Sequence, residues 1–474
     1  MERRTSNGML DPELIARNFA EVECGLTHKA AIEESNRCLY CYDAPCIRAC
    51  PTGINIPSFI KRIATDNLKG AATTIMDANP VGATCARVCP TEVLCEGACV
   101  LNHASTPIMI GKLQRYATDW AIADGRPLFQ PGAANGRRVA VIGGGPAGLS
   151  AARELARDGF AVTVYEAKPL AGGLDTHGIV SFRLPQSISL WEVEQVARLG
   201  VDIRTSVKVG DDLPVEQLLQ QYDVVVLSAG MGDVPPLGIE GEQLEGVYDA
   251  IRLVESTKSD THSYPELAGA RVAVIGAGNT AIDAATCSVR LGAEHVRIVY
   301  RRTKAEMTAY AFEFEFAKQD GIEFNWLTNP VRIIGDEQGR VTHLECVRMQ
   351  LSEAGTDGRR MPIPIEGSEF RIPVDAVVTA IGQKRRVALI EKLGLTHDRG
   401  VVTIDRSTFR TSNPKVYACG DIVFGAGQGE AMVVSAAEQG KRTAQAISLF
   451  FTQLLDSEAE AAADVVEVHE DAAM

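Results

Sequence analysis

The chain has 474 residues, 46% of them hydrophobic, which suits two or three separate cores better than one. A formal charge of -14 argues against a nucleic-acid partner, because phosphate binding needs a basic surface. The opening MERRTSNGMLDPEL has no apolar h-region, and no stretch reaches the ~18 uninterrupted apolar residues of a membrane helix, so a cytoplasmic protein with no membrane contact is expected. In that compartment the twelve cysteines are not expected to form structural disulfides.

Eight of those cysteines fall in two runs. The first is C-x2-C-x4-C-x3-C-P (Cys38, Cys41, Cys46, Cys50, Pro51) and the second is C-x3-C-P-x4-C-x3-C (Cys85, Cys89, Cys95, Cys99). A zinc ribbon shows two C-x2-C knuckles; here there is one, with no histidine placed to complete it. The first run is close to the bacterial ferredoxin signature, with one gap enlarged by two residues and the terminal Cys-Pro kept. In that signature the fourth cysteine ligates the other cluster. Two interleaved 4Fe-4S clusters are therefore expected, held by all eight cysteines or by seven and one further group. Zinc, or a redox-active Cys38/Cys41 dithiol, stays open as the alternative.

INIPSFIKRIATDNLKGAATTIMDANP (54–80) repeats apolar positions three and four apart until Asn79-Pro80, a pattern that predicts helix. RPLFQPGAANGRR (126–138), rich in Pro and Gly, reads as a linker.

RVAVIGGGPAGLSAARELARDGFAVTVYEAKPLAGGL follows. Residues 139–142 form an apolar run short enough for a buried parallel strand. Gly143, Gly145 and Gly148 make G-x-G-x-x-G, 149–158 reads as helix, and 162–165 as a second strand ending at Glu166. A lone G-x-G-x-x-G is weak, but strand, glycines, helix, strand and an acid about 20 residues on form the full dinucleotide fingerprint. The helix N-terminus attracts the pyrophosphate, and Glu166 is placed to hold the ribose hydroxyls. The pattern returns in ARVAVIGAGNTAIDAATCSVRLGAEHVRIVYRR (270–302), with strand 271–275, Gly276 and Gly278, a helix from Thr280 and strand 296–300. Here Arg301 and Arg302 take the place of the acid. An acid suits a free 2'-hydroxyl, as in FAD; arginines accommodate a 2'-phosphate, as in NADP. A solvated strand end is the plain alternative for the two arginines.

Residues 413–447 read as strand, Gly420-Asp421, glycine-rich turn and long helix, with Asp421 placed to hold the ribityl chain of a flavin. With strands at 224–232 and 376–383, the order becomes FAD half, nicotinamide domain, FAD half, an arrangement that would set a nicotinamide against a flavin. DSEAEAAADVVEVHEDAAM (456–474) has seven acids and no Lys or Arg, and predicts a solvated, disordered tail. The expected fold class is α/β. An N-terminal all-α iron-sulfur domain (1–130) precedes two interleaved Rossmann-like domains, one binding FAD (131–262 and 379–455) and one binding NAD(P) (263–378), with the acidic tail last.

Residues 20–448 resemble the flavin and iron-sulfur half of dihydropyrimidine dehydrogenase and, more distantly, the small subunit of glutamate synthase. The motifs that carry the likeness are CLYCYDAPCIRACPTGINIPSFI, NPVGATCARVCPTEVLCEGAC, PIMIGKLQRYATD, GGGPAGLSAA, GGL before FRLP, GAGNTAID and ACGDIV. The resemblance implies one cluster on Cys38, Cys41, Cys46 and Cys99 and the other on Cys50, Cys89, Cys95 and Gln114, with Cys85 a packed thiol. Glutamine at 114 matches the pyrimidine enzymes, whereas glutamate synthase small subunits typically place an acid there. FAD is implied on Gly143, Gly144, Gly145, Pro146, Ala147 and Gly148, with Glu166, Gly173, Leu174, Arg183, Val209, Gly420 and Asp421. The nicotinamide nucleotide is implied on Ala277, Gly278, Asn279, Thr280, Arg301, Arg302, Ala380, Ile381 and Gly382. NADP-using relatives carry an arginine where this chain has Thr308, which turns the expectation toward NAD.

The full-length enzyme continues into a barrel that binds FMN and the pyrimidine, and this chain has no counterpart of it. The resemblance therefore implies an electron-input subunit. NAD(P)H gives hydride to flavin N5, and single electrons pass through the two clusters to a partner carrying iron-sulfur clusters and FMN, which reduces uracil or thymine. The assembly would be a hetero-oligomer such as a heterotetramer. No side chain of this chain is expected to act as a catalytic acid or base. Rival readings are a glutamate synthase small subunit or another electron-transfer flavoprotein and, from a different class, a thiol-disulfide oxidoreductase or a redox-inert assembly partner. Cys287, Cys346 and Cys419 stand at no ligand or dithiol spacing and read as core residues.

Overall fold

In the computed structural model the described residues are 11–259, 263–355, 360–425 and 431–471, with side chains described through Leu454. Seven α-helices among them precede the first strand: α1 (Pro12–Asn18), α2 (His28–Asn36), α3 (Pro45–Ala49), α4 (Ile56–Ala64), α5 (Leu68–Ala78), α6 (Gly82–Val88) and α7 (Ile110–Asp124). The periodic stretch 54–80 is two helices rather than one. Asp66 takes a left-handed φ of +59°, and the Asn67 side chain accepts the Gly70 N–H at 2.9 Å to start α5. The polar triplet Thr65-Asp66-Asn67 thus breaks a pattern whose apolar period runs on across it.

The remaining elements follow in chain order: β1 (Arg138–Ile142), α8 (Pro146–Arg157), β2 (Ala161–Tyr165), α9 (Leu174–His177), α10 (Gln186–Ala197), β3 (Asp202–Arg204), α11 (Val215–Gln221) and β4 (Val224–Leu227). Next come β5 (Val247–Asp249), α12 (Ala250–Ser259), β6 (Arg271–Ile275), α13 (Asn279–Arg290), β7 (His295–Val299), α14 (Ala311–Gln319) and β8 (Glu323–Asn325). An antiparallel group of β9 (Thr328–Gly335), β10 (Val341–Ala354), β11 (Arg360–Pro364) and β12 (Phe370–Pro373) leads to β13 (Ala376–Thr379). Helix α15 (Val387–Lys392), the short ribbon β14 (His397–Asp398) and β15 (Val401–Val402), β16 (Val416–Ala418) and α16 (Val433–Asp471) close the chain.

These elements build two compact units, one of residues 25–173, 187–231 and 385–474 and the other of 1–24, 174–186 and 232–384. The first, the flavin unit, holds the cysteine-bearing helices and a parallel sheet ordered β16-β4-β1-β2-β3. The second, the nicotinamide unit, holds a parallel sheet ordered β5-β13-β6-β7-β8. Central strands β1 and β6 are buried throughout after their first residue, as strands covered on both faces require.

The boundaries differ from those expected at several places, residues 174–186 among them, which were assigned to the FAD part and fall in the nicotinamide unit. Residues 232–262, assigned by sequence to the FAD part, include β5, which pairs with β13 in the nicotinamide sheet; residues 379–384 join the same unit. Of the first 24 residues, the described ones, 11–24, also belong there rather than with the helical domain. They carry no cluster cysteine, and Ile15 and Phe19 of α1 and its C-cap fill the same core as Phe182 and Val272. Finally, α16 keeps a helical backbone through Asp471, where a disordered tail was expected, in keeping with the helix propensity of its Ala and Glu residues.

β11 pairs with β10, and its Ile365 N–H donates to Arg348 O at 2.9 Å just beyond the strand. By strand alternation the N–H groups at 361 and 363 face β10 too, which leaves Arg360, Pro362 and Pro364 at the outward backbone positions.

Candidate functional site

Cys38, Cys41, Cys46 and Cys99 line one apolar cavity in the flavin unit, walled by Ile56, Ile60, Ile108 and Ile110. They come from three places: the turn after α2, α3 itself, and the residue before the 3-10 turn Val100–His103. Tyr40, between the first two cysteines, takes a left-handed φ of +50°; its hydroxyl donates to Ser35 O at 2.9 Å and Lys61 lies over its ring. Across the cavity, Glu34 ties the 106–110 segment down by accepting the Met109 N–H at 2.8 Å while pairing with Arg37. Burial pushes the Cys46 thiol up to about 11, with Cys38 and Cys99 as the nearby like groups, and raises Cys38 as well. Thiolates gathered here need compensating positive charge, which iron supplies. Among the described residues no three His, Cys, Asp or Glu converge on a point as for a single ion. The four cysteines line one cavity, so these residues fit a cluster.

The second set sits at helix ends. Cys50 caps α3 and Cys89 caps α6. Burial raises the Cys95 thiol, with Glu96, Cys89 and Cys50 adding to the effect, so these three cysteines share one neighbourhood. Gln114 is buried on α7, and its Nε2 donates to Gly82 O at 2.8 Å, at the start of the helix that ends in Cys89. Cys85 packs with Val81, Val434 and Ala437. Lys441 of α16 donates to Thr52 O and Ala78 O, and Thr52 Oγ1 lies 3.4 Å from Cys50 Sγ.

The FAD cradle follows its fingerprint. Gly143 has φ +103°, and a Cβ there would stand 2.6 Å from Ser228 O. Only glycine makes that turn. Gly145 caps α8, with Pro146 at its first position and Ala147 next. Glu166 ends β2 with its Oε2 accepting the Gly144 N–H at 2.9 Å and its Oε1 the Lys168 N–H at 2.8 Å. Gly173 approaches Gly145 so closely that a Cβ would lie 2.8 Å from its Cα. Gly420 donates its N–H to Gln439 Oε1 at 2.8 Å, and a Cβ on it would meet the Ala147 methyl at 2.9 Å. Burial raises the Asp421 carboxyl, and Arg385 opposes the shift. Val209 lies in the core beside Ile142 and Tyr165. The close glycine-to-glycine approach and the helix N-terminus at Gly145 leave no side chain in the turn, so the residues fit FAD. The glycine-rich turn at 426–430 lies outside the described residues.

Two residues assigned to FAD by resemblance belong to the other unit. Leu174 opens α9 there. Arg183 is engaged by two acids of the nicotinamide unit, Asp283 at 3.2 Å and Glu313 at 2.7 Å. The burial of both carboxylates explains why they draw in this guanidinium.

In the nicotinamide unit, Ala277 and Gly278 lead into α13, which opens with Asn279 and Thr280. Ala277 O and Asn279 Oδ1 each accept an N–H, from Ala309 and Tyr310, so the segment after β7 folds over the glycine turn. Thr308 Oγ1 lies 3.3 Å from where a Cβ on Gly278 would stand. Ala380 donates to Ile275 O at 2.9 Å; Ile381 is exposed and Gly382 takes φ +99°. Past β7, Arg301 is exposed and Arg302 half-buried, its Nε without a hydrogen-bond partner.

Sequence reasoning missed Ser228, whose Oγ donates to the Ile142 and Gly143 carbonyls, and Gln439, which holds Gly420. It also missed Glu192, a buried carboxylate on α10 bonded to α6. Ser228 had a signal, a small polar residue ending the strand VVVL; Gln439 and Glu192 had none.

Known proteins share this architecture. Residues 15–126 match the family model described as dihydropyrimidine dehydrogenase domain II, 4Fe-4S cluster, and residues 137–440 match pyridine nucleotide-disulphide oxidoreductase. The NAD-dependent dihydropyrimidine dehydrogenase subunit PreT of Salmonella typhimurium is 35% identical over 429 residues, covering 90% of this chain and 96% of that one. The glutamate synthase (NADPH) small chain of Escherichia coli is 34% identical over 443 residues, covering 90% and 93%. The NADP(+)-dependent formate dehydrogenase subunit beta of Moorella thermoacetica is 35% identical over 458 residues, covering 92% of this chain but 62% of its own length. Among solved structures, Mycobacterium tuberculosis FprA in complex with NADPH shares the fold with TM-score 0.56 at 22% identity, covering 69% of this chain and 86% of that one. The chain belongs to the FAD and 4Fe-4S oxidoreductase family that includes the glutamate synthase small chain and PreT. Within it, this is an NAD(P)H-dependent flavin and iron-sulfur electron-transfer subunit, and the two relatives it matches over nearly their whole length are named as a small chain and a subunit. Among the described residues no helix is long and apolar enough to cross a membrane.

Proposed function

We propose that this subunit passes electrons from NADH through FAD and two 4Fe-4S clusters to a cytoplasmic partner that carries FMN and iron-sulfur clusters and reduces uracil or thymine. The observation that carries the pyrimidine reading is Gln114: a buried glutamine on α7, bonded to the helix that ends in Cys89, within a segment matching a dihydropyrimidine dehydrogenase domain. Bound FAD would supply the step from hydride to single electrons. The chain's own residues hold and orient the groups. Glu166 and the Gly143–Gly148 turn would hold the adenosine and pyrophosphate, Asp421 the ribityl chain, and the two cysteine sets the iron. At the other nucleotide, Thr308 occupies the place of an arginine and favours NADH. Arg301 and Arg302 past β7 carry the guanidinium charge that a 2'-phosphate would draw on, so NADPH is the necessary comparison.

The test is anaerobic reduction by NADH and by NADPH, followed by uracil turnover with and without an FMN-containing partner subunit. Reduction by NADH, with turnover only when the partner is present, is the expected result. A glutamate synthase small subunit is the second reading, supported by 34% identity to that chain over 93% of its length, close to the 35% and 96% for PreT. Glutamate formation with a glutamate synthase large subunit, and no pyrimidine turnover, would replace the first reading by the second.

A further inference from the structure

Glu192 lies on α10 and is 2% exposed, yet the partners of its carboxylate are all on α6. Oε1 accepts the N–H groups of Ala83 at 2.7 Å and Thr84 at 3.0 Å, and Oε2 accepts from Thr84 Oγ1 at 2.5 Å. No side chain at the α6 N-cap itself provides a hydrogen bond. The carboxylate therefore serves first-turn N–H groups that the helix leaves without internal acceptors. The same helix accepts Gln114 Nε2 at Gly82 O and has Cys89 as its C-terminal cap. Cys89 and Gln114, implied as ligands of one centre, are thus both held to a helix whose start is fixed from α10. Burial pushes the Glu192 carboxyl up to about 7, against the pull of its hydrogen bonds and of Arg87. Arg87 is itself paired with Asp119 of α7, and Cys85 is the other titratable group on α6 that feels Glu192.

We propose that Glu192 is a positioning residue for the iron-sulfur centre of Cys50, Cys89, Cys95 and Gln114, fixing the start of the helix that holds Gln114 and ends in Cys89 and adding there a negative charge that disfavours reduction. This rests on the cluster reading above. Held at the start of α6, the Glu192 carboxylate would take up a proton from solvent when the centre gains an electron, so the potential of that centre would drift with pH.

The experiment uses the full chain, purified anaerobically, as wild type, Glu192→Gln and Glu192→Ala. The readouts are iron content, the EPR spectrum after dithionite reduction, and midpoint potentials at pH 6 and pH 8. In Glu192→Gln the amide oxygen keeps both backbone bonds, and the Thr84 hydroxyl can turn to accept from the amide nitrogen. Iron and line shape are therefore expected to persist, with the potential of one centre raised at pH 8 and its drift between pH 6 and pH 8 abolished. Glu192→Ala is expected to lose iron and one EPR signal. If Glu192→Ala does not fold, Glu192→Gln decides alone. Wild-type potentials in Glu192→Gln at both pH values overturn the proposal, as do unchanged iron and potentials in Glu192→Ala. A wild type with no cluster signal would sink the cofactor reading together with the proposal, whereas clusters that ignore Glu192 sink the proposal alone.

Discussion

Residues 138–143 and 271–276 are the same hexapeptide, RVAVIG, and the two copies occupy equivalent places. Each runs through the middle of a five-stranded parallel sheet. Each begins with its first N–H on an aspartate that precedes the next strand, Arg138 on Asp223 at 2.7 Å and Arg271 on Asp375 at 2.8 Å. Each ends on a left-handed glycine with a neighbouring carbonyl where a Cβ would go: Ser228 O at 2.6 Å for Gly143 and Ala380 O at 2.2 Å for Gly276. The copies part company one strand further on. β2 leads to Glu166, tied to the glycine loop, whereas β7 leads to Arg301 and Arg302. The pyrophosphate cradle is a property of strand, turn and helix geometry. The choice of nucleotide rests on a few side chains that the fold leaves free to vary.

The strongest test separates the two cradles. Gly143→Val should leave the chain without flavin, since side chain and left-handed φ together cost about 4 kcal/mol or more locally. Gly276→Val should keep the flavin absorbance and dithionite reduction but lose reduction by either nicotinamide nucleotide. Loss of flavin in both variants would show that the cradles do not act separately. The cysteines allow the next contrast: Cys46→Ala should remove one cluster's iron, and Cys85→Ala none, measured as iron and sulfide per chain.

Acid-base behaviour should also divide the units. Glu192 in the flavin unit has its carboxyl raised from 4.5 to about 7, so its contribution to stability is fully present below about pH 4.5 and is lost as pH rises to 7. The loss is on the order of 3 kcal/mol, and it should vanish in Glu192→Gln when thermal unfolding is followed against pH. Lys258 in the nicotinamide unit is lowered by burial to about 8 from 10.5, against the pull of Asp175 and Asp283. Its protonation opposes folding, so that unit should gain stability as pH rises from about 8 toward 10.5, and Lys258→Met should flatten the rise. The smallest effect is expected at the strand end. Arg302→Ala should change the NADPH-to-NADH ratio of kcat/KM by roughly five- to tenfold or less. No change would make Arg302 a solvated strand end.

Strands, glycine turns and cysteine runs were legible because each is a local pattern with a period or a fixed spacing. The cavity containing Cys38, Cys41, Cys46 and Cys99 joins residues up to 61 positions apart, and only the family likeness pointed to Cys99. What stayed illegible depends on partners distant in sequence. Nothing in VYD at 247–249 says that it pairs with β13 rather than with the flavin sheet. Arg183 lies in FRLP, a stretch whose likeness implies a flavin contact, and nothing local announces that two buried acids about 100 and 130 residues on pair with its guanidinium. Glu192 sits between Trp191 and Val193 in an unremarkable helix, and its burial against α6 has no counterpart in composition or period.

The ribbon formed by β10 and β11 bears on how the chain behaves in a crowded solution. Met361 and Ile363 are exposed on it, the kind of surface on which chains stack strand upon strand into insoluble polymer. With proline at two of its three outward backbone positions, β11 offers an incoming strand only the Arg360 amide hydrogen, which disfavours growth by edge addition.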